Sequence, residues 1–530
     1  MIARRNSEIA AVVLGSLLAG AIYTWYAGED INWDWRNYHE YGAYALLNVR
    51  FDTDVAPAGI QTFLNPLAYL PAYLLRHHVA APFWGMILGA IDGLGLALIW
   101  WISRLVLGQA ASAWTIAASV VIAAFGPMTL SEVGTSFADI LTALPVIAGL
   151  GFMLSARATD RMRHGAAGIL IGAAVGLKLT NMVFFIGAGA SLLFAARPLL
   201  AMGCFAVGGI FGALGTGGAW SWMLWHEFGN PVFPFYNTVF RSPEAPLAAI
   251  ADMRFMPRSL WEAAAYPFYW MVGDTSASSE VPFRDPRFAT VFLLWAANAA
   301  ASLFCKMRVF TRRDKQFLLF FAIAYAMWLF TFSIHRYSVA LELLAAPLIV
   351  LLLARLTRAL QRASLAADPP SSRLPRCSDV AIAGLAIAIA LGSQKADWSR
   401  RPWSDPYRPE LPPALASAAT YLLIEKPLGY LVPQLGAGSR AYQLADILLP
   451  ITPGGLLDRR IRSGLADPLP GGVWALHLRG SPPRQCLLDD YGWQFDPSRR
   501  CEIIRGANDA DIEACPLRPS PRAVTASGSC

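Results

Sequence analysis

The stretch GEDINWDWRNYHEYGAYALL, residues 28–47, puts Glu29, Asp30, Asp34, Arg36, His39 and Glu40 directly behind an uncharged hydrophobic segment. Charges in that position must leave the hydrocarbon or be paired, so each is a functional candidate. A carboxylate at the mouth of a membrane cavity can take the proton of an incoming hydroxyl, which is general-base chemistry. Asp34, Tyr38 and Tyr41 fall on one helical face at i, i+4 and i+7, and a carboxylate beside aromatic rings suits sugar binding. The same rings, with Trp33, Trp35 and Tyr44, equally suit an interfacial belt that anchors a surface helix. Glu29, Asp30 and Asp34 also offer oxygen ligands for a divalent cation, although this chemistry does not require one and no metal ligand is assigned.

Other polar residues recur at the ends of apolar segments. Glu132 and Asp139 frame a short turn, Lys178 joins two brief helices, His335 and Arg336 follow an apolar run, and Glu342 lies about one turn into the next. Each alone is explained by helix capping or by a long side chain snorkelling to the interface. Together they can line one outward cavity, where cations hold a phosphate and a carboxylate activates an acceptor. Nothing forms a phosphate loop or dinucleotide fingerprint: GGLL at 454–457 and GAGS at 436–439 read as turns.

The elements that position these residues follow from composition. Of 530 residues, 55% are hydrophobic and 15% are charged, with mean hydropathy +0.43. Soluble chains carry about 25% charged residues, which argues against a cytoplasmic enzyme or a nucleic-acid binder. Ile9 to Gly28, Leu105 to Ser131, Pro198 to Trp225, Phe288 to Cys305 and Gln316 to Ile334 contain no Asp, Glu, Lys or Arg for about a bilayer crossing. Adding the brief Gly165 to Gly176, Asn181 to Ala196 and Val380 to Leu391, and the spans that end before Arg104, Arg157 and Arg355, gives about eleven transmembrane helices. Arg4 and Arg5 precede the first, which reads as a retained signal anchor. With those arginines cytoplasmic, the loops carrying Arg104, Arg157, Arg161, Arg163, Arg197, Lys306 to Lys315 and Arg355 to Arg376 all fall on the cytoplasmic side. The net charge of +7 is therefore a topology signal rather than a partner signal.

On the opposite side lie loops 29–80 and 225–287, the turn at 131–139 and SIHRY at 333–337. The first is expected as short amphipathic helices on the membrane surface, and the prolines of GNPVFPFYN at 229–237 break any continuous helix. Residues 1–391 are thus expected as a transmembrane catalytic domain and 392–530 as a small periplasmic α/β or α+β domain. Tyr421 to Ile424 and Val473 to Leu478 read as strands, and Ala441 to Leu449 as a helix. Cys486, Cys501, Cys515 and Cys530 lie in the tail, where an oxidising location allows disulfides. At least one is expected among the first three, in preference to zinc, because no histidine stands beside them in the sequence. Cys204 and Cys305 read as small core residues.

Over roughly residues 1–390 the chain resembles the GT-C glycosyltransferases, in particular bacterial membrane proteins of family 87. The resemblance rests on DWRNYHEY at 34–41, ALLNVR at 45–50, NPL at 65–67, GLKLT at 176–180 and the external tail. It implies a multi-pass enzyme of the bacterial inner membrane, acting in cell-envelope glycan or glycolipid synthesis. Such an enzyme transfers a hexose or pentose from polyprenyl phosphate to a lipid, glycan or protein hydroxyl at the periplasmic face. The family's first-loop catalytic aspartate is carried onto Asp34, with Asp30 as the rival. Arg36, Tyr38, His39, Glu132, Asp139, Lys178, His335, Arg336 and Glu342 are the expected substrate or donor-phosphate contacts. Inversion at the anomeric carbon follows from the resemblance, and a monophosphate leaving group lets fixed cations replace a metal. A flippase for lipid-linked saccharides, a polymerase or ligase, and a non-catalytic envelope assembly protein remain the alternatives.

Overall fold

The computed structural model describes residues 2–521 except 109–110, 158–159, 249, 251, 274–276, 305–309, 366–373, 405–408, 483 and 508–509. Cys305, Lys306, Arg308, Arg373 and Cys530 lie outside the described residues. The chain divides into two compact units. The first comprises Met1–Ala27, Gly85–Gly218 and Asp252–Trp398; the second comprises Gly28–Trp84, Ala219–Ala251 and Ser399–Cys530. The outer loops do not follow the linear boundary expected at 391. Residues 28–84 and 219–251 cluster with the tail, because their backbone and side chains pair with it.

A helix stands at each of the eleven expected positions: α1 (Ile2–Ala27), α2 (Phe83–Leu107), α3 (Ala113–Ala124), α4 (Asp139–Ser155), α5 (Arg161–Leu177), α6 (Met182–Ser191), α7 (Pro198–Phe228), α8 (Arg287–Phe304), α9 (Arg312–Thr331), α10 (Val339–Leu365) and α11 (Leu374–Gly392). Among the described residues, five helices are long and apolar enough to cross a membrane by length and composition, not about eleven: α1, α2, α7, α8 and the helical stretch containing α10. The others are short or begin with charges, as the uninterrupted window from 105 shows. Gly108, at φ +83°, ends α2, and α3 then runs for only 12 residues before Gly126 and Pro127 start a new turn.

Inside the first unit α10 is the central element. Nearly every side chain from Val339 to Leu352 is buried, and the helix packs on α3, α4 and α8. That is what a helix apolar on all sides requires. Residues read as cytoplasmic from their charge meet one another: Arg104 pairs with Glu8, Arg313 donates to the Leu105 carbonyl at 2.7 Å, and Arg355 holds Asp314 at 2.8 Å.

Close backbone contact sets another pairing. Gly168, Gly172 and Gly176 recur at i, i+4 and i+8 on α5, and a Cβ at Gly172 would fall on the Gly209 carbonyl oxygen of α7. Small residues at this spacing let helices approach until their backbones touch. Gly172→Leu must therefore separate α5 from α7 or strain both, and a loss of about 1–3 kcal/mol is expected. Thermal unfolding in detergent checks this, with exposed Gly215→Leu, where a Cβ meets nothing, as the neutral comparison.

In the second unit β1 (Glu29–Asp30) pairs antiparallel with β2 (Arg400–Arg401), aligning Glu29 with Arg401. The tail then forms a six-stranded mixed sheet of β3 (Thr420–Leu423), β4 (Arg440–Gln443), β5 (Val473–Leu478), β6 (Trp493–Phe495), β7 (Glu502–Ile504) and β8 (Ile512–Pro519). The order is β4-β3-β5-β8-β6, with β7 also on β8; β3 runs parallel to β4 and β5, and the pairs with β8 are antiparallel. The expected strands at 421–424 and 473–478 are present, whereas the expected helix at 441–449 is strand β4 followed by irregular chain. Parallel pairing with β3 satisfies its backbone, and a nine-residue apolar run does not by itself separate helix from strand. Val55 extends the pairing by a parallel bridge to Tyr442, and the Asp54 carboxylate accepts the Ala441 N–H at 2.9 Å and pairs with Arg50 at 2.7 Å.

The expected disulfide is Cys501–Cys515, and Cys486 is also disulfide-bonded. A histidine does stand beside these cysteines: β5–β8 pairing brings His477 Nε2 to 3.6 Å from Cys515 Sγ. Linear distance concealed that contact. Cys204 is half-buried and unbonded, as a packing residue would be.

Candidate functional site

In the second unit the carboxylates of the acidic motif differ in burial. Glu29 is fully buried between Arg76 at 3.0 Å and Arg401 at 2.8 Å. Asp30 is 1% exposed, and its Oδ1 accepts from the Asn32 backbone N–H at 3.0 Å and side-chain amide at 2.6 Å. Glu40 accepts from Trp35 Nε1 at 3.1 Å and contacts His77 Nε2 at 2.6 Å. Asp34 alone among these four is half-exposed, and its Oδ2 accepts the Tyr38 hydroxyl at 3.0 Å.

The helix here is not an α-helix. Trp35–His39 forms a π-turn, and Asp34 sits at its start. The wider i→i+5 turn keeps Asp34 and Tyr38 together but rotates Tyr41 out of their face, so the expected triple alignment is broken. Tyr41 is buried and donates to Asp54 at 3.2 Å instead. His39 is buried and stacks on Tyr69 at 4.2 Å between ring centroids. Arg36 is half-buried with no hydrogen-bond partner at Nε among the described residues, and burial holds its guanidinium below the ordinary range against the pull of Tyr430 and Asp30. The Arg76 guanidinium lies 3.9 Å from the Trp35 ring centroid, fixing the motif from below.

In the first unit four of the sequence candidates converge. Asp139 opens α4, where a carboxylate is favoured by the helix N-terminus, and it pairs with Lys178 at the C-terminal end of α5. Arg336 Nε is 3.9 Å from the other Asp139 oxygen, and the Arg336 guanidinium lies 4.3 Å from the Phe137 ring centroid and 5.6 Å from that of Trp398. Lys178 Nζ is 4.7 Å from the Tyr337 ring centroid. Glu132, 1% exposed, completes the cluster, and neither of its oxygens has a hydrogen-bond partner among the described residues. Burial and the neighbouring Asp139 push its carboxyl well above the usual range, against Arg336 and Lys178.

His335 and Glu342, expected as substrate contacts, are instead engaged internally, each with 0% exposure. Arg287 grips Asp285 through two bonds of 2.8 Å and reaches Glu342 at 3.1 Å. Glu342 also accepts the N–H groups of Met128 at 3.1 Å and Thr129 at 2.8 Å, and the Thr129 hydroxyl at 2.7 Å. It thereby caps the short helix Pro127–Glu132 and fixes the turn carrying Glu132. His335 lies 3.4 Å from Asp285 and stacks on Phe283. Burial alone would raise the Asp285 carboxyl, but Arg287 and His335 hold it well below the ordinary range.

Asp285 and Arg287 were missed in the sequence because they flank the uncharged window from Phe288, where charges read as topology markers. Among the described residues two groups have metal-ligand spacing: Asp285, His335 and Glu342, where Arg287 already pairs with both carboxylates, and His477, Glu513 and Cys515, where the sulfur is in a disulfide.

No curated protein matches this chain by sequence. Among solved structures, it is similar to ArnT from Cupriavidus metallidurans bound to undecaprenyl phosphate, with 13% identity and TM-score 0.56 over 97% of this chain and 98% of that one. It also matches the Archaeoglobus fulgidus oligosaccharyltransferase in the apo form, with 11% identity and TM-score 0.43 over 91% of this chain and 71% of that one. Residues 60–333, more than half of the sequence, match the family model of Glycosyltransferase family 87. With the fold it shares with ArnT, the chain therefore belongs to glycosyltransferase family 87.

Proposed function

We propose that this protein transfers a sugar from a polyprenyl-phosphate donor to an acceptor hydroxyl at the periplasmic face of the bacterial inner membrane, in envelope glycan or glycolipid synthesis. The observation that carries the reading is the convergence of Lys178 and Arg336 beside Asp139 and Glu132 in a chain of this glycosyltransferase family. Two cations on one carboxylate can exchange it for a phosphate, and fixed cations then offset the charge that develops as the glycosidic bond breaks. The undecaprenyl phosphate bound by ArnT supports the same donor class.

Asp34 is the general base that accepts the acceptor's proton, and displacement inverts the anomeric carbon. Its support is its partial exposure, in contrast to the buried Glu29, Asp30 and Glu40. Arg36, Tyr38 and His39 shape the sugar or acceptor contact, whereas His335 and Glu342 act by positioning Arg336 and the Glu132 turn. No cofactor is needed. The topology is multi-pass, with the N-terminus in the cytoplasm, a catalytic membrane region, and a periplasmic domain formed by the tail with the outer loops that cluster with it. The meeting of the cytoplasm-assigned charges and the tail disulfides support that orientation.

The test is transfer from a panel of synthetic polyprenyl-phosphate sugars by purified protein in lipid. Wild type is expected to turn over at least one donor. Lys178→Ala should raise the donor KM by roughly 10–100-fold, the value of one lost charged hydrogen bond. If no donor turns over but lipid-linked glycans bind tightly, the reading fails in favour of flipping or polymerisation.

A further inference from the structure

We propose that Glu132 is a second catalytic residue of this enzyme, an acid that delivers its carboxyl proton to the phosphate oxygen leaving the sugar. The inference rests on the reading that the donor phosphate sits at Lys178 and Arg336. Its physical basis is the state of the side chain. Carboxyl groups taken out of water are hydrogen-bonded or paired in native proteins, and each exception needs a reason. Glu132 is 1% exposed, neither oxygen has a hydrogen-bond partner among the described residues, and no ion pair holds it. The nearby cations do not relieve this, since Lys178 is bonded to Asp139 and Arg336 lies against the same carboxylate.

The charged groups acting on Glu132 come from separate elements: Asp139 at the start of α4, Lys178 at the end of α5, Arg336 in the turn before α10, and Glu342 within α10. Two of these are anions, and with burial they favour the protonated form; the two cations oppose them. A neutral carboxylic acid held among cations is a hydrogen-bond donor to an arriving phosphate, where an ionised one would repel it. The turn carrying the acid is held in place, since Glu342 accepts the N–H groups of Met128 and Thr129 and is itself paired with Arg287.

The step balances. The bond from the anomeric carbon to the phosphate oxygen breaks, and its electron pair stays on that oxygen. The Glu132 proton moves onto it, leaving the Glu132 carboxylate and a protonated polyprenyl phosphate. The acceptor oxygen bonds to the anomeric carbon, and its own proton passes to the general base. Glu132 regains a proton from solvent once the phosphate has left.

The experiment uses the full-length enzyme in lipid, with the pH dependence of kcat as its principal readout. For wild type, kcat should fall at the alkaline end as Glu132 loses its proton. Glu132→Gln keeps the shape and a donor but has no proton to give, so kcat should drop about 10²–10⁴-fold and the alkaline limb should disappear. Donor KM should change little. A donor analogue whose leaving oxygen is made less basic by a fluorinated phosphonate should recover much of the lost rate in Glu132→Gln, and a merely structural residue would give no such recovery. The inference is overturned if Glu132→Gln keeps wild-type kcat and pH profile, or if wild type itself has no alkaline limb; the second result decides the matter even if the variant does not fold. Wild-type turnover with either of these results leaves the polyprenyl-phosphate reading standing. Absence of any wild-type turnover removes both.

Discussion

Asp34→Asn is expected to lower kcat about 10²–10⁴-fold while leaving donor KM and thermal stability near wild type. The amide preserves shape and can still accept the Tyr38 hydroxyl, which lies 3.0 Å from Asp34 Oδ2, but it cannot take a proton from an acceptor. Tyr38→Phe should cost less, since it removes a hydrogen bond to the base and not the base. Asp30→Asn provides the discriminating control. Asp30 is buried and bonded to Asn32, so its replacement should lower stability before it lowers turnover. Steady-state kinetics across the donor panel, with unfolding midpoints measured on the same preparations, separate these outcomes. A dead Asp30→Asn enzyme with wild-type stability, beside an active Asp34→Asn enzyme, would move the base by one turn.

Arg287→Met is expected to destabilise the first unit by about 3–5 kcal/mol, the cost of leaving buried charge uncompensated. Arg287 has 0% exposure and touches both Asp285 and Glu342. Its removal leaves two carboxylates facing one another with only the His335 ring beside both among the described residues. Adding Glu342→Gln to Arg287→Met should recover part of the loss, because one of the stranded charges is gone. Arg287→Lys should fall between, since an ammonium keeps the charge but not the two-pronged grip on Asp285. Unfolding in detergent or lipid, read as the shift between variants, checks the order.

The sign of the pH dependence follows from the depressed carboxyl of Asp285. Its contribution is present above the ordinary aspartate range and is lost as pH falls through the lower folded value. The wild-type protein should thus lose stability on acidification to a degree that Asp285→Asn does not. Because Glu342 also holds the N–H groups of Met128 and Thr129, Arg287→Met should depress turnover beyond its effect on the folded fraction.

Much of the architecture was legible along the chain. Membrane class, the positions of all eleven helices, strands β3 and β5, the tail disulfide and the resemblance to family 87 all rest on patterns within short windows. Apolar length and flanking charge suffice for these, because desolvating a helix depends mainly on its own side chains. Even so, local patterns did not show where such a helix breaks: Gly108 interrupts one long uncharged window, and a π-turn at Trp35–His39 displaces Tyr41 from the face of Asp34. The nine residues from Ala441 were also undecided until a parallel neighbour claimed their first part as strand β4.

Only the tertiary structure decided which ionisable residues are spoken for. Glu29, Asp30, Asp34 and Glu40 look alike in sequence, yet three are buried against partners and one remains half-exposed. His335 and Glu342 stand beside Arg336 in sequence but belong to a network completed by Arg287, whose contact with the Glu342 backbone spans 55 positions. Lys178 reaches Asp139 across 39 positions, while the Glu132 carboxyl group, seven residues from Asp139, is left with no hydrogen-bond partner among the described residues. The reason is physical: hydrophobic length is a property that a segment carries with it, whereas the protonation and availability of a charged group depend on burial and on neighbours that distant segments supply.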